Sequence, residues 1–451
     1  MVLPDILGIK KLFKKIDETL FRRQDRVLYD LVNSADSDEL VRVLETLPHG
    51  RKKMFSLLQP EKAATVLKNL SPYLRQYVLQ GAETERVLAI MNFLESDEIA
   101  DLVKILPPVT RTGVLGQLKK FDPKNILQLI PLGSETAGGL MKTELVVGKP
   151  SFTVRDFTQS LREIFPSSIP KTSYVYIVDD QGRLLGSFNF NKLYLADPNI
   201  TLDKLTRPFP KKIRVDEDQE QVARDFAAYD ALELPVVNEQ GALVGRISAD
   251  DIIDVLRTEF SEDIYRLFGA FGDARVNDPY WKKVKNRLPW LAVNLLTAGF
   301  AAYIVSHFTP VLDKFVILAA YMPIIAGMGG NSATQTLGVT VRAIALDEMH
   351  SLNTWKIIVK EIFTGITNGL AMGVLVGGVA YLINANPTLS LVIAMAMTFN
   401  FFIAALAGIA IPLTMRALKK DPALASSVFV TAMTDAAGFF SFLGLATLLL
   451  R

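Results

Sequence analysis

The stretch "PALASSVFVTAMTDAAGFFSFLGLATLLL" (residues 422–450) is apolar and exceeds the ~20 residues that a helix needs to cross a bilayer. Yet Asp435 sits near its centre. A lone carboxylate in hydrocarbon costs several kcal/mol, roughly 3 on insertion scales, so it must face water, an ion or a partner. On a helix, Ser427, Thr431 and Asp435 share one face at i, i+4 spacing, with Thr434 and Gly438 adjacent. No Lys, Arg or His lies at comparable depth in another apolar stretch, which argues against a buried salt bridge. Two readings stay open: a protonated Asp435 hydrogen-bonded between helices, or a cation site or proton carrier. The second is favoured, because intramembrane carboxylates are costly to keep.

Working outward, further charge-free stretches run 288–312, 315–341 and 362–415. The last is long enough for two spans, with Asn384, Asn386 and Pro387 at the turn. The expectation is five membrane helices, about 288–310, 315–341, 358–383, 388–415 and 423–449. Only 14 of the 96 charged side chains lie in 288–451, so residues 1–287 read as soluble. Lys282, Lys283, Lys285 and Arg287 precede the first helix, Arg342 and Lys356 lie between the second and third, and Arg416, Lys419 and Lys420 between the fourth and fifth. This positive-inside bias predicts a cytoplasmic N-terminus and an outer C-terminus. A short apolar run and then Lys10, Lys11, Lys14 and Lys15 follow Met1, which is unlike a signal peptide.

The second span carries Pro323 and then "GMGGNSATQ" (327–335), with Gly327, Asn331 and Gln335 on the face of Pro323. That composition predicts a broken or kinked helix whose freed carbonyls and Asn331 amide face a cavity. Gly365, Gly369, Gly373 and Gly377 in the third span make a small-residue stripe suited to close helix packing. Asn400, Gly408 and Pro412 in the fourth fit either role. The donor set is carboxylate, amide, hydroxyl and carbonyl, hard oxygen chemistry for Mg²⁺, Ca²⁺ or Mn²⁺. One carboxylate per chain holds a dehydrated divalent ion weakly. Two chains at a twofold axis would bring two Asp435 together around a hydrated Mg²⁺.

The composition narrows the field. The sequence has no cysteine and three scattered histidines (His49, His307, His350). Disulfide scaffolds, thiol catalysis and Cys-ligated metals are excluded, and without HExxH a zinc hydrolase is not expected. A formal net charge of +2 offers no surface for nucleic acid. A membrane enzyme lacks a nucleophile–base pair and a phosphate loop.

In the soluble part, "YIVDDQGRLLGSFNFNKLYLA" (176–196) aligns with "PVVNEQGALVGRISADDIIDV" (235–255). Each copy reads strand, turn with Gly182 or Gly241, strand with Gly186 or Gly245, then helix. Amphipathic "FTVRDFTQSLREIF" and "DEDQEQVARDFAAYD" precede them, giving a pseudo-symmetric α/β module. It resembles a tandem CBS-domain pair. Gly245, Ile247, Ser248 and Asp251 match that family's ribose-contacting element, whereas Asn189 and Lys192 replace the Ser and Asp in the first copy. Asp251 could equally serve a metal. Residues 18–130 read as helices, with "SDELVRVLETLP" (37–48) recurring as "SDEIADLVKILP" (96–107); Ser37 and Ser96 are expected as N-caps. This predicts a short helical superhelix. Acids gather toward the membrane part: Asp250, Asp251, Asp254, Glu259, Glu262 and Asp263, with Asp97, Asp101 and Asp421 elsewhere. Each is either a solvated side chain or one of several that a divalent cation would bridge.

The whole sequence resembles the MgtE-type magnesium channels. The resemblance rests on domain order and on "PIIAGMGGNSATQTLGVTVRAIAL" (323–346) and "DPALASSVFVTAMTDAAG" (421–438). It implies a multidomain chain: a helical N domain (1–130), tandem CBS domains (134–257), a connecting helix (258–285) and an all-α membrane domain of five helices (286–451). It further implies a homodimeric Mg²⁺ channel in the inner membrane, its pore between subunits, with Asp435 as the pore carboxylate and Asn331 nearby. Cytosolic Mg²⁺ would close it through Asp97, Asp101, Asp218, Glu220, Asp230, Asp251, Asp254, Glu259, Glu262, Asp263 and Asp421. ATP binds the CBS pair in relatives, which here points to Ser248 and Asp251. A proton- or sodium-coupled divalent-cation carrier is the alternative.

Overall fold

The computed structural model describes residues 6–120, 125–165, 171–268, 280–345, 348–349, 354–422 and 427–450. It divides into two units, Met1–Arg257 and Thr258–Arg451. The division falls inside one helix, Ala249–Leu267. Residues 269–279 of the expected connecting helix, and 423–426 at the expected start of the fifth span, lie outside the described residues.

The first unit opens on short helices whose apolar positions recur at helical spacing. They begin at Ile6–Phe21, earlier than the expected start at 18, and run through Pro108–Leu118 and Ile126–Leu129. The repeated "SDE" motifs do start helices, Ser37–Thr46 and Ser96–Ile105, but the caps sit one residue upstream. Asp36 accepts from the Asp38 backbone N–H, and Glu98 reaches back to the N–H of Glu95. A carboxylate one residue earlier meets the orphan donors better than the serine does. Ser96 is thereby released for a tertiary role: fully buried, its hydroxyl donates to Glu144 (2.8 Å) and accepts from the Thr143 N–H (2.9 Å).

The α/β module holds two matching three-stranded sheets. β1 (Val147–Gly148) runs parallel to β2 (Tyr174–Val178), which pairs antiparallel with β3 (Leu184–Asn189). β4 (Ile213–Arg214), β5 (Glu233–Val237) and β6 (Leu243–Ser248) repeat the pattern. Gly182 and Gly241 turn the two hairpins at φ +77°, a left-handed conformation that glycine adopts without strain. The hairpins meet tip to tip: the Leu184 N–H donates to Gly241, and the Leu243 N–H to Gly182. Leu234, Val236 and Ile247 of the second copy join the core of the helical segment. Val175, Ile177 and Phe188 of the first copy close a separate one.

In the second unit the long helices are Tyr280–Ser306, Ile317–Ala345, Thr354–Asn384, Pro387–Ala417 and Ser427–Leu449. Four are long and apolar enough to cross a membrane. The exception is the second, Ile317–Ala345, whose glycines, Asn331, Ser332 and Gln335 dilute its hydropathy. Of the expected break or kink, the break is not there: its 29 residues continue as one helix with Pro323 inside it. The glycine stripe of the third helix does what its spacing predicts. A Cβ on Gly365, Gly373 or Gly377 would lie within 2.9 Å of atoms of the fourth helix.

Candidate cation sites

Asp435 lies partly exposed on the fifth membrane helix, beside the fully buried Thr434. Among the described residues nothing pairs with its carboxylate. A carboxyl hydrogen-bonded between helices of one chain therefore has no partner here. The neighbouring hydroxyls are satisfied along their own helix: Thr431 donates to the Ser427 carbonyl (2.6 Å) and Thr434 to that of Thr431 (2.8 Å). The second helix packs against this face through Gly330, where a Cβ would stand 3.3 Å from Thr431 Cγ2. The next residue, Asn331, is exposed. The structure thus brings the two helices of the expected pore together, with Asp435 and Asn331 both reachable from outside the single chain.

The second site lies within the first unit, and the sequence did not announce its centre. Lys142 is 3% exposed, and its ammonium lies 2.8 Å from Asp251, 2.8 Å from Glu95 and 3.8 Å from Asp250. The Ser248 hydroxyl is 3.0 Å away and bonded to Asp251 at 2.5 Å. The lysine is held by its backbone, which exchanges both hydrogen bonds with Arg246 of β6 (2.8 and 2.9 Å). Burial would lower the Lys142 pKa, but Asp251 and Glu95 outweigh it and hold it above its ordinary value. Burial likewise works to raise Glu95, and Lys142 reverses this to a net depression. Asp97 takes the opposite course. Burial first, then the Asp251 charge, push it up to about 8 against the pull of Lys142. Its Oδ1 is shielded and lacks a hydrogen-bond partner among the described residues.

The remaining expected sensor residues are more dispersed. Asp218 caps the helix Gln219–Ala228 by accepting from the Glu220 N–H (2.9 Å), and Glu220 pairs with Arg224 (3.5 Å). Asp101 pairs with Lys104 (3.1 Å). Asp230 and Asp254 are exposed, while Glu259 and Asp263 are half-buried on the long helix. In the second unit Arg266 forms ion pairs with both Glu262 and Asp421. No three Asp, Glu or His side chains converge on a ready-made metal cage among the described residues. Ser248 and Asp251, the expected nucleotide contacts, are engaged with Lys142. A separate cleft of about 290 Å³ lies at the first repeat, lined by Tyr174, Asn189, Lys192, Arg207, Phe209 and Tyr229 among others.

Glu95, Lys142 and Arg266 were missed by sequence reading. Lys142 is a lone cation in "GSETAGGLMKTELVVG" (133–148), and that isolation was the available signal.

A bundle of long apolar helices bearing a mid-helix carboxylate, in one chain with a CBS pair, has the layout of a multi-pass membrane protein. Family models agree: a divalent cation transporter model (MgtE) matches residues 322–445, the MgtE intracellular N domain matches 35–131, and a CBS domain matches 203–258. The chain is 31% identical to the magnesium transporter MgtE of Thermus thermophilus, covering 98% of this chain and 99% of that one. It is 30% identical to that of Bacillus subtilis, over 88% of each. The solved cytosolic domain of the Mg²⁺ channel MgtE in complex with ATP is 31% identical and covers 54% of this chain and 99% of that one, with a TM-score of 0.45. The chain belongs to the MgtE family of divalent cation transporters.

Proposed function

We propose that the protein conducts Mg²⁺ into the cell across the inner membrane as a homodimeric channel, with Asp435 and Asn331 lining a path between subunits. The observation that carries this is Asp435, a mid-helix carboxylate that no group among the described residues answers. Hydrated Mg²⁺ sheds water reluctantly, so a carboxylate and an amide suffice to hold it through its water shell. The membrane potential drives entry at about 2.3 kcal/mol per charge per 100 mV. The N-terminal unit faces the cytoplasm and senses Mg²⁺, and Asp97 beside Asp251 is the part of that unit best fitted to a cation. Its shielded oxygen lacks a donor, and the Lys142 ammonium already meets part of the negative charge there. Asp230 and Asp254 supply further exposed carboxylates of the same unit, whereas Asp101 pairs with Lys104. Nucleotide fits the cleft at Tyr174, Lys192, Arg207 and Tyr229 better than Ser248, since aromatic rings suit a purine and the two cations suit phosphates.

The test is Mg²⁺ flux into liposomes holding the purified protein, with and without millimolar Mg²⁺ on the cytoplasmic face. Asp435→Ala should abolish flux at unchanged protein incorporation; wild-type flux in that variant would overturn the pore assignment. Flux that collapses with an imposed pH gradient at fixed voltage would favour the coupled carrier.

A further inference from the structure

Asn400 takes no part in the ion path described so far. It lies mid-way along the fourth membrane helix and is completely buried. Its Nδ2 donates to the Ile325 carbonyl of the second helix at 2.9 Å. Its Oδ1 is buried without a hydrogen-bond partner among the described residues. Two glycines from two other helices close on the same amide. A Cβ on Gly329 would stand 2.1 Å from Nδ2, and a Cβ on Gly438 would stand 2.7 Å from it. Gly329 lies two residues before Asn331, and Gly438 lies one helical turn after Asp435.

An unpaired buried oxygen is a standing penalty, and a leucine of similar size would fill the space without it. Packing alone does not account for the amide; its directional bond does. That bond keys the fourth helix to the second, while the glycine notch keys it to the fifth. We infer that Asn400 is a positioning residue for the ion path, setting the helix of Asn331 against the helix of Asp435 in depth and rotation. This rests on the reading of Asp435 as the pore carboxylate.

The test uses the full-length protein in liposomes, reading Mg²⁺ flux and the Mg²⁺-to-Ca²⁺ flux ratio per incorporated channel. Asn400→Leu keeps the volume and removes the donor. It should incorporate like the wild type, lose flux by about tenfold and shift the ratio severalfold, a size common for residues in contact. Gly438→Ala should be impaired, and adding Asn400→Ala should restore it in part by clearing the notch. Wild-type flux and ratio in Asn400→Leu, or strictly additive losses in the double variant, would overturn the inference. Failure of both Asn400→Leu and the double variant to incorporate would make Asn400 a folding residue and overturn it as well. Asp435→Ala runs alongside. Retained flux there defeats the pore reading, whereas lost flux there with an unaffected Asn400→Leu defeats only the positioning role.

Discussion

Asp435 and Asp97 are both partly buried carboxylates, and they differ in what surrounds them. Asp435 was legible in the sequence because a single charge in an apolar run stands out against its neighbours. Asp97 was legible only as one acid among many. Its neighbours Lys142 and Asp251 come from distant parts of the chain; the Lys142–Ser248 bond alone spans 106 residues. Asn400 stood out in the sequence as a polar residue in an apolar span, but its role stayed open for the same reason, since the carbonyl it engages is 75 residues away. The raised pKa of Asp97 carries a pH signature. Its folded value, about 8, exceeds the unfolded value near 3.8, so the folded state binds the extra proton between them. Stability should therefore fall as pH rises from about 4 to 8. Asp97→Asn should flatten that slope in thermal denaturation, on the order of a few degrees at the alkaline end. An unchanged slope would show that Asp251 and Lys142 cancel at this position.

At the scale of elements, the two CBS copies are joined by a buried polar knot. Glu233 of β5 accepts from Tyr176 of β2 (2.5 Å) and from Thr172 (2.8 Å), and pairs with Arg246 of β6 (3.3 Å). Glu233 and Arg246 are each 2% exposed. Removing one partner leaves a charge buried alone, which costs about 3–5 kcal/mol. Glu233→Ala should therefore lower the melting temperature of the full-length protein in detergent and expose the module to protease, while Tyr176→Phe should cost far less. The repeat itself could be read from the sequence, because strand–glycine–strand punctuation recurs at a fixed period. The knot could not, because a Glu in "LELPVV" looks like any solvent-facing strand residue. The glycine stripe was readable for the opposite reason: four glycines at i, i+4 spacing leave little else for the third helix to do. Gly373→Val would drive side-chain carbons into the Ala394 carbonyl, 2.7 Å from the Cβ position. Yield of folded protein should drop, with Gly378→Val, whose Cβ meets nothing within 4 Å, as the tolerated control.

At the scale of the whole molecule, Lys142 clamps the helical segment to the second CBS copy through Glu95 and Asp251. Lys142→Met should remove the ammonium that lies between Glu95 and Asp251, beside Asp97. The variant should then melt earlier than the wild type in chelator and recover in millimolar Mg²⁺, widening the Mg²⁺-dependent gap in melting temperature. An equal gap in both proteins would argue that the ion binds elsewhere.

The second membrane helix carries Asn331, Ser332 and Gln335 along its middle turns. Those side chains weaken its partitioning from the translocon as an isolated span. It should enter the bilayer in company, once the fourth and fifth helices offer Asn400, Thr431 and Thr434 as polar neighbours. Biosynthesis would then pass through a stage in which this segment waits at the bilayer edge until the fourth and fifth helices have emerged. Glycosylation reporters placed on truncated nascent chains should find it uninserted when synthesis stops before residue 387 and inserted when the fifth helix is present.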